Sequence, residues 1–175
     1  RSGHYTMKLY RQEVTPRLDL VFDASGSMFL DGAKSARSWE LLYFCLESAL
    51  RLGASLKLHT LRGDVEEMPI ERALAYDWPE VPPPGRPDFC ELLQRVPLRA
   101  GSLCVVISDL LSETPPGRPA SILTAGRGRA VVLAPFSREE ARPDGEGNIE
   151  FEDVETQTNE KRRVEREALD RYRRA

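Results

Sequence analysis

Residues 17 to 28, RLDLVFDASGSM, constrain this chain more than any other stretch. Leu18, Leu20, Val21 and Phe22 form an apolar run of the kind that marks a strand buried on both faces. The run stops at Asp23. Ser25 and Ser27 follow at alternate positions, and Gly26 between them permits a sharp turn. One carboxylate and two hydroxyls on a tight loop are hard oxygen donors of the type that suits Mg²⁺. A second apolar run, LCVVISD over 103–109, also ends in an aspartate, Asp109. In an open parallel sheet, functional groups gather beyond the carboxyl ends of the strands, near the point where strand order reverses. Two strands ending in aspartate are therefore expected to set Asp23 and Asp109 side by side.

Strand and helix patterns alternate along the chain, which predicts an α/β fold with a mainly parallel, doubly wound sheet covered on both faces. A leading strand is expected at 7–11 and the central strand at 17–23. A helix is expected over 35–52, with Ala36, Trp39, Leu42, Tyr43, Leu46, Ala49 and Leu50 on its apolar stripe and Gly53 closing it. Strands at 55–61 and 65–69 and a short helix at 70–76 follow. The proline-rich stretch 79–87 reads as a stiff loop, and Asp88 as the cap of a helix running to Val96. After the strand at 103–109 come a short helix at 120–125 and a buried strand at 129–135. Alternating strands are expected at 148–154 and 161–164, joined by the polar stretch 155–160, with a final helix at 165–174.

The pattern D-x-S-x-S after a first strand, with a later strand ending in aspartate, resembles the metal-ion-dependent adhesion site of von Willebrand factor A-type domains. Longer stretches, YTMKLYRQEVTPRLDLVFDASGSM, VVISDLL and PFSREEARPDGEGNIEFEDVETQTNEKRR, resemble the carboxyl-terminal half of a bacterial family with a von Willebrand A-like domain. Members of that family are typically encoded beside MoxR-type AAA+ ATPases. The resemblance implies a three-layer α/β/α domain over residues 1–175 that binds another protein and is not an enzyme. It implies Asp23, Ser25, Ser27 and Asp109 as a metal-site floor. The loops at 28–34, 79–88 and 110–119 form its rim, with Met28, Arg86, Asp88 and Ser112 toward the partner. In the family a threonine of a Gly-Gly-Thr-Asp loop also touches the metal, and a partner's acidic side chain completes the shell. Here the aligned residues are Gly85, Arg86, Pro87 and Asp88, so the site is degenerate. Either Asp88 or Thr114 replaces the lost oxygen, or Mg²⁺ binding is weak or absent. The expected partner is a MoxR-type ATPase or its client.

The bland alternative is that Asp23, Ser25 and Ser27 only cap the next helix and leave a vestigial site on a structural scaffold. The enzymatic alternative is a Mg²⁺-dependent phosphatase-like hydrolase with Asp23 as phosphoryl acceptor. Such enzymes carry D-x-D, and Ser25 stands where the second, general-acid aspartate belongs. No Gly-rich phosphate cradle occurs, and a net charge of −3 speaks against a nucleic-acid footprint. Cys45, Cys90 and Cys104 lack metal-site spacing and read as core residues of a reducing, cytoplasmic compartment. His59 reads as a core or half-exposed histidine. No stretch is apolar enough to span a membrane. The chain opens inside a charged, strand-like region, which leaves open a fragment of a longer protein and a membrane anchor upstream.

Overall fold

The computed structural model describes residues 15–78, 88–112, 114–115, 117–125, 128–153 and 158–172 of the chain. The leading strand expected at 7–11 and the proline-rich loop at 79–87 lie outside the described residues.

Five strands form one mixed sheet: β1 (Arg17–Asp23), β2 (Ser55–Leu61), β3 (Val65–Met68), β4 (Leu103–Ile107) and β5 (Arg129–Leu133). Their spatial order is β3-β2-β1-β4-β5. β1 runs parallel to β2 and β4, β4 runs parallel to β5, and only β3 is antiparallel, joined to β2 by a tight turn. The chain therefore builds outward from β1 in one direction, returns, and builds outward from β4 in the other. The reversal of strand order falls between β1 and β4, the two strands chosen from the sequence.

Alternation along β1 divides the core. Leu20 and Phe22 join Leu42 and Leu46 of the long helix α1 (Gly32–Arg51) and Ala73 of the short helix α2 (Ile70–Leu74). Val21, one position out of phase, joins Phe89, Leu92 and Leu93 of α3 (Phe89–Arg95) and Leu123 of α4 (Gly117–Thr124). β1 and β4 each place apolar side chains in both clusters, which explains why each reads as a largely apolar run.

Helix α1 begins three residues earlier than the sequence pattern suggested. Asp31 caps it, its carboxylate accepting from the Ala33 amide at 3.0 Å. The buried stripe is accordingly Lys34, Ser38, Leu42, Leu46 and Ala49, while Ala36 is exposed and Leu50 is nearly half exposed. Gly53, at φ 63°, closes the helix in the left-handed conformation that suits glycine. Trp39 and Trp78 pack against each other at a tilt of 57°, ring centres 4.9 Å apart, and both contact Phe22, while the Trp78 indole donates to the Tyr43 hydroxyl at 2.9 Å.

Strand β5 departs from the expected buried strand at 129–135. It ends at Leu133, and Val131 and Val132 are exposed. It lies at the edge of the five-stranded sheet, so it has a strand neighbour on one side only. Beyond it come α5 (Arg138–Ala141), a two-stranded antiparallel hairpin of β6 (Gly147–Asp153) and β7 (Thr158–Val164), and α6 (Arg166–Tyr172). The second hairpin strand starts at Thr158, so part of the polar stretch expected to be a connection is strand. Among the described residues no helix is long and apolar enough to cross a membrane.

Candidate functional site

The site lies beyond the carboxyl ends of β1 and β4. In the register of these strands Phe22 faces Ile107, so the next residues, Asp23 and Ser108, stand at one level. Ser108 donates its hydroxyl hydrogen to Asp23 Oδ2 at 2.7 Å, and the Ser25 amide donates to Asp23 Oδ1 at 3.0 Å. The direct neighbour of Asp23 is thus Ser108. Asp109 sits one residue further, past the end of the strand. The expectation of two aspartates side by side is corrected by this one-residue offset.

Residues 24–29 turn away from β1 through a short 3₁₀ helix over Gly26–Phe29. Ser25 and Ser27 are buried, and their hydroxyl oxygens lie 2.9 Å apart in a hydrogen bond. The helix that follows, α1, is capped by Asp31, and Ser25 at the N-cap of the 3₁₀ turn makes no side-chain cap bond. Met28 is fully buried, and its sulfur accepts from the Asp109 amide at 3.2 Å. It is a core side chain tying the two loops together, a correction to its expected place facing a partner.

Asp109 makes the contact that sequence reasoning missed. Its Oδ2 accepts from the Lys34 ammonium at 2.8 Å, and its Oδ1 accepts from the Leu111 amide at 3.0 Å. The Lys34 side chain is 1% exposed and that of Asp109 is 4% exposed, so this is a buried ion pair. The same ammonium donates to Glu140 Oε1 from α5. Burial alone pulls the Lys34 pKa down, but the hydrogen bonds and charges of Asp109 and Glu140 together lift it above its ordinary value. Lys34 is therefore a charged ammonium at neutral pH. One sequence signal existed: Lys34 lies four residues before Ser38 on the stripe that continues to Leu42 and Leu46, and lysine is scarce in this arginine-rich chain. Ser108 was equally missed, although its place one residue before Asp109 marks it.

Asp88 lies in a neighbouring cluster. It caps α3 by accepting from the Cys90 amide at 2.8 Å, and it accepts from the hydroxyls of Ser112 at 2.5 Å and Thr114 at 3.0 Å. Burial raises its pKa, but these donors outweigh it and leave the carboxyl below its ordinary value. Asp88, Ser112 and Thr114 thus hold the loop after β4 onto the start of α3. Arg86, with Gly85 and Pro87, lies outside the described residues.

Exposed apolar side chains occur in the same connecting segments: Leu30 after the 3₁₀ turn, Leu110 and Leu111 after β4, and Phe136 after β5. All four follow the carboxyl ends of mutually parallel strands. Leu110 has φ 59°, a strained conformation for a residue with a side chain, directly beside Asp109.

The donor set does not fit a divalent cation at Asp109. A metal there would meet the buried Lys34 ammonium, a like charge that already bonds the same carboxylate. No group of three or more His, Cys, Asp or Glu side chains arranged to hold a metal occurs among the described residues. No family model matches the sequence, and no curated protein matches it.

Proposed function

We propose that the chain is a protein-binding module with a three-layer, doubly wound von Willebrand A-like arrangement and a degenerate adhesion site. One observation carries this reading: Asp23 ends β1 and Asp109 follows β4 on either side of the sheet's reversal point, and exposed Leu30, Leu110, Leu111 and Phe136 lie in the segments that follow β1, β4 and β5. Exposed apolar side chains gathered with polar groups suit docking, because the apolar surface supplies area to bury and the polar groups fix orientation. The partner implied by the family resemblance is a MoxR-type AAA+ ATPase or its client. Unpaired Cys45, Cys90 and Cys104 support a reducing, cytoplasmic setting.

Binding is favoured over phosphoryl transfer. A nucleophilic carboxylate needs an oxygen presented to substrate, whereas both oxygens of Asp23 accept from neighbouring groups of the chain and the residue is 5% exposed. A pull-down with the purified MoxR-type ATPase tests the reading. Leu111→Asp and Phe136→Asp are expected to cut association at least tenfold while the melting temperature stays put. Undiminished binding by both variants would move the interface elsewhere. Metal-dependent hydrolysis of a generic phosphomonoester would restore the enzymatic alternative.

A further inference from the structure

We propose that Lys34 is the resident cation of this site, and that Glu140 is bound to it as an intramolecular stand-in for a partner's carboxylate. The proposal rests on the binding-module reading and states how that site works without a divalent metal. Its basis is a carboxylate–ammonium–carboxylate chain. Asp109 holds Lys34 from the β4 loop at 2.8 Å, and Glu140 approaches the same nitrogen from the segment that follows β5.

The three groups differ in access. Lys34 and Asp109 are sealed, whereas the Glu140 side chain is 33% exposed. Glu140 is thus the outer member, and it is the one that can leave. Its other oxygen accepts from the Ser137 amide at 2.6 Å in a reciprocal capping box, and its backbone carbonyl accepts from the Tyr172 hydroxyl at 2.8 Å. These contacts hold the carboxyl-terminal segment over the site. An aspartate or glutamate of a partner, offering the same chemistry as Glu140, takes its place on Lys34 when that segment lifts. A positively charged donor with two bound carboxylates leaves no position at Asp109 for Mg²⁺, since the metal must displace the ammonium it repels.

Two arms test this on the full chain, and neither uses a partner protein, so their outcome is separable from that of the pull-down. In the first, Mn²⁺ is titrated calorimetrically. The native chain is expected to show no binding up to millimolar Mn²⁺. Lys34→Met, which leaves Asp109 and Glu140 without their cation, is expected to bind at least tenfold more tightly, and adding Asp109→Asn removes the gain. A folded Lys34→Met chain with no gain overturns the proposal. Should that variant not fold, thermal melting of the native chain decides: a rise with Mg²⁺ that Asp109→Asn abolishes overturns it, and indifference to Mg²⁺ and to chelator supports it. In the second arm, acetate is the carboxylate probe and the Lys34 ammonium nitrogen resonance is the readout. Glu140→Ala is expected to give a saturable shift at acetate concentrations that leave the native chain unmoved. Equal responses from the two, or none from Glu140→Ala, overturn the assignment of Glu140.

Discussion

The Ser108 hydroxyl donates to Asp23 Oδ2 at 2.7 Å, so the ends of β1 and β4 are joined by a side-chain bond where the main-chain ladder stops. Ser108 also accepts from the Leu110 amide at 3.0 Å and so helps hold the strained residue that follows Asp109. The floor of the candidate site is a hydrogen-bonded frame in which Asp23 is the shared acceptor.

Truncating Asp23 should therefore cost stability. Asp23→Ala leaves the buried Ser25 amide and Ser108 hydroxyl without their acceptor, a loss of about 1–3 kcal/mol. Asp23→Asn keeps the shape and one acceptor oxygen and should cost less. Urea unfolding of the two variants checks the order, and equal stability of native and Asp23→Ala chains would show that the frame contributes nothing.

At the opposite end of β1, Asp19 is fully buried and accepts from the Arg99 guanidinium at 2.7 Å, the Arg99 amide at 2.8 Å and the Ser102 hydroxyl at 2.6 Å. Arg99 reaches on to the Leu18 and Ser55 carbonyls, so one side chain clamps the starts of β1 and β2. Arg99→Met strands a buried carboxylate, and breaking such a pair costs about 3–5 kcal/mol. Chemical denaturation measures it, and a change below about 1 kcal/mol would rank the clamp with ordinary surface pairs.

His59 is fully buried, and among the described residues neither ring nitrogen has a hydrogen-bond partner. Burial pulls its pKa below the ordinary 6.5, against the raising influence of Glu67 and Asp19. The sign follows from proton counts: below about 6.5 the unfolded chain binds a proton that the folded chain refuses, so stability falls as pH falls through that region toward the folded value. Above it both states are neutral and the contribution is flat. Melting temperatures between pH 7 and 5 should drop for the native chain and drop less for His59→Leu.

The three cysteines should differ in reactivity. Burial pushes the Cys104 thiol up to about 12, and Cys90 is fully buried, while Cys45 is partly accessible. Brief alkylation of the folded chain at pH 8 is expected to label Cys45 first, because the thiolate is the nucleophile and access limits the others. Mass spectrometry reads the sites directly, and early labelling of Cys104 would contradict its placement inside β4.

The sequence alone determined the central strands and which of their ends would carry the polar groups. Leu20 to Phe22 and Leu103 to Ile107 are local apolar runs, and an aspartate soon after the end of such a run is visible without any knowledge of neighbours. The turns and caps at Gly53 and Asp88 were legible for the same reason, since their chemistry is local. What only the tertiary structure decided was how the charges are balanced. Lys34 and Asp109 are separated by 75 positions, and Lys34 and Glu140 by 106. A lysine read in isolation belongs in water, because burying an unpaired ammonium is prohibitive. It becomes a buried group only when the sheet brings Asp109 to the start of α1 and the segment after β5 brings Glu140 over both. Met28 shows the converse: it reads as a loop residue open to a partner, and the tertiary fold turns it inward because the loop it occupies wraps back onto the end of β4.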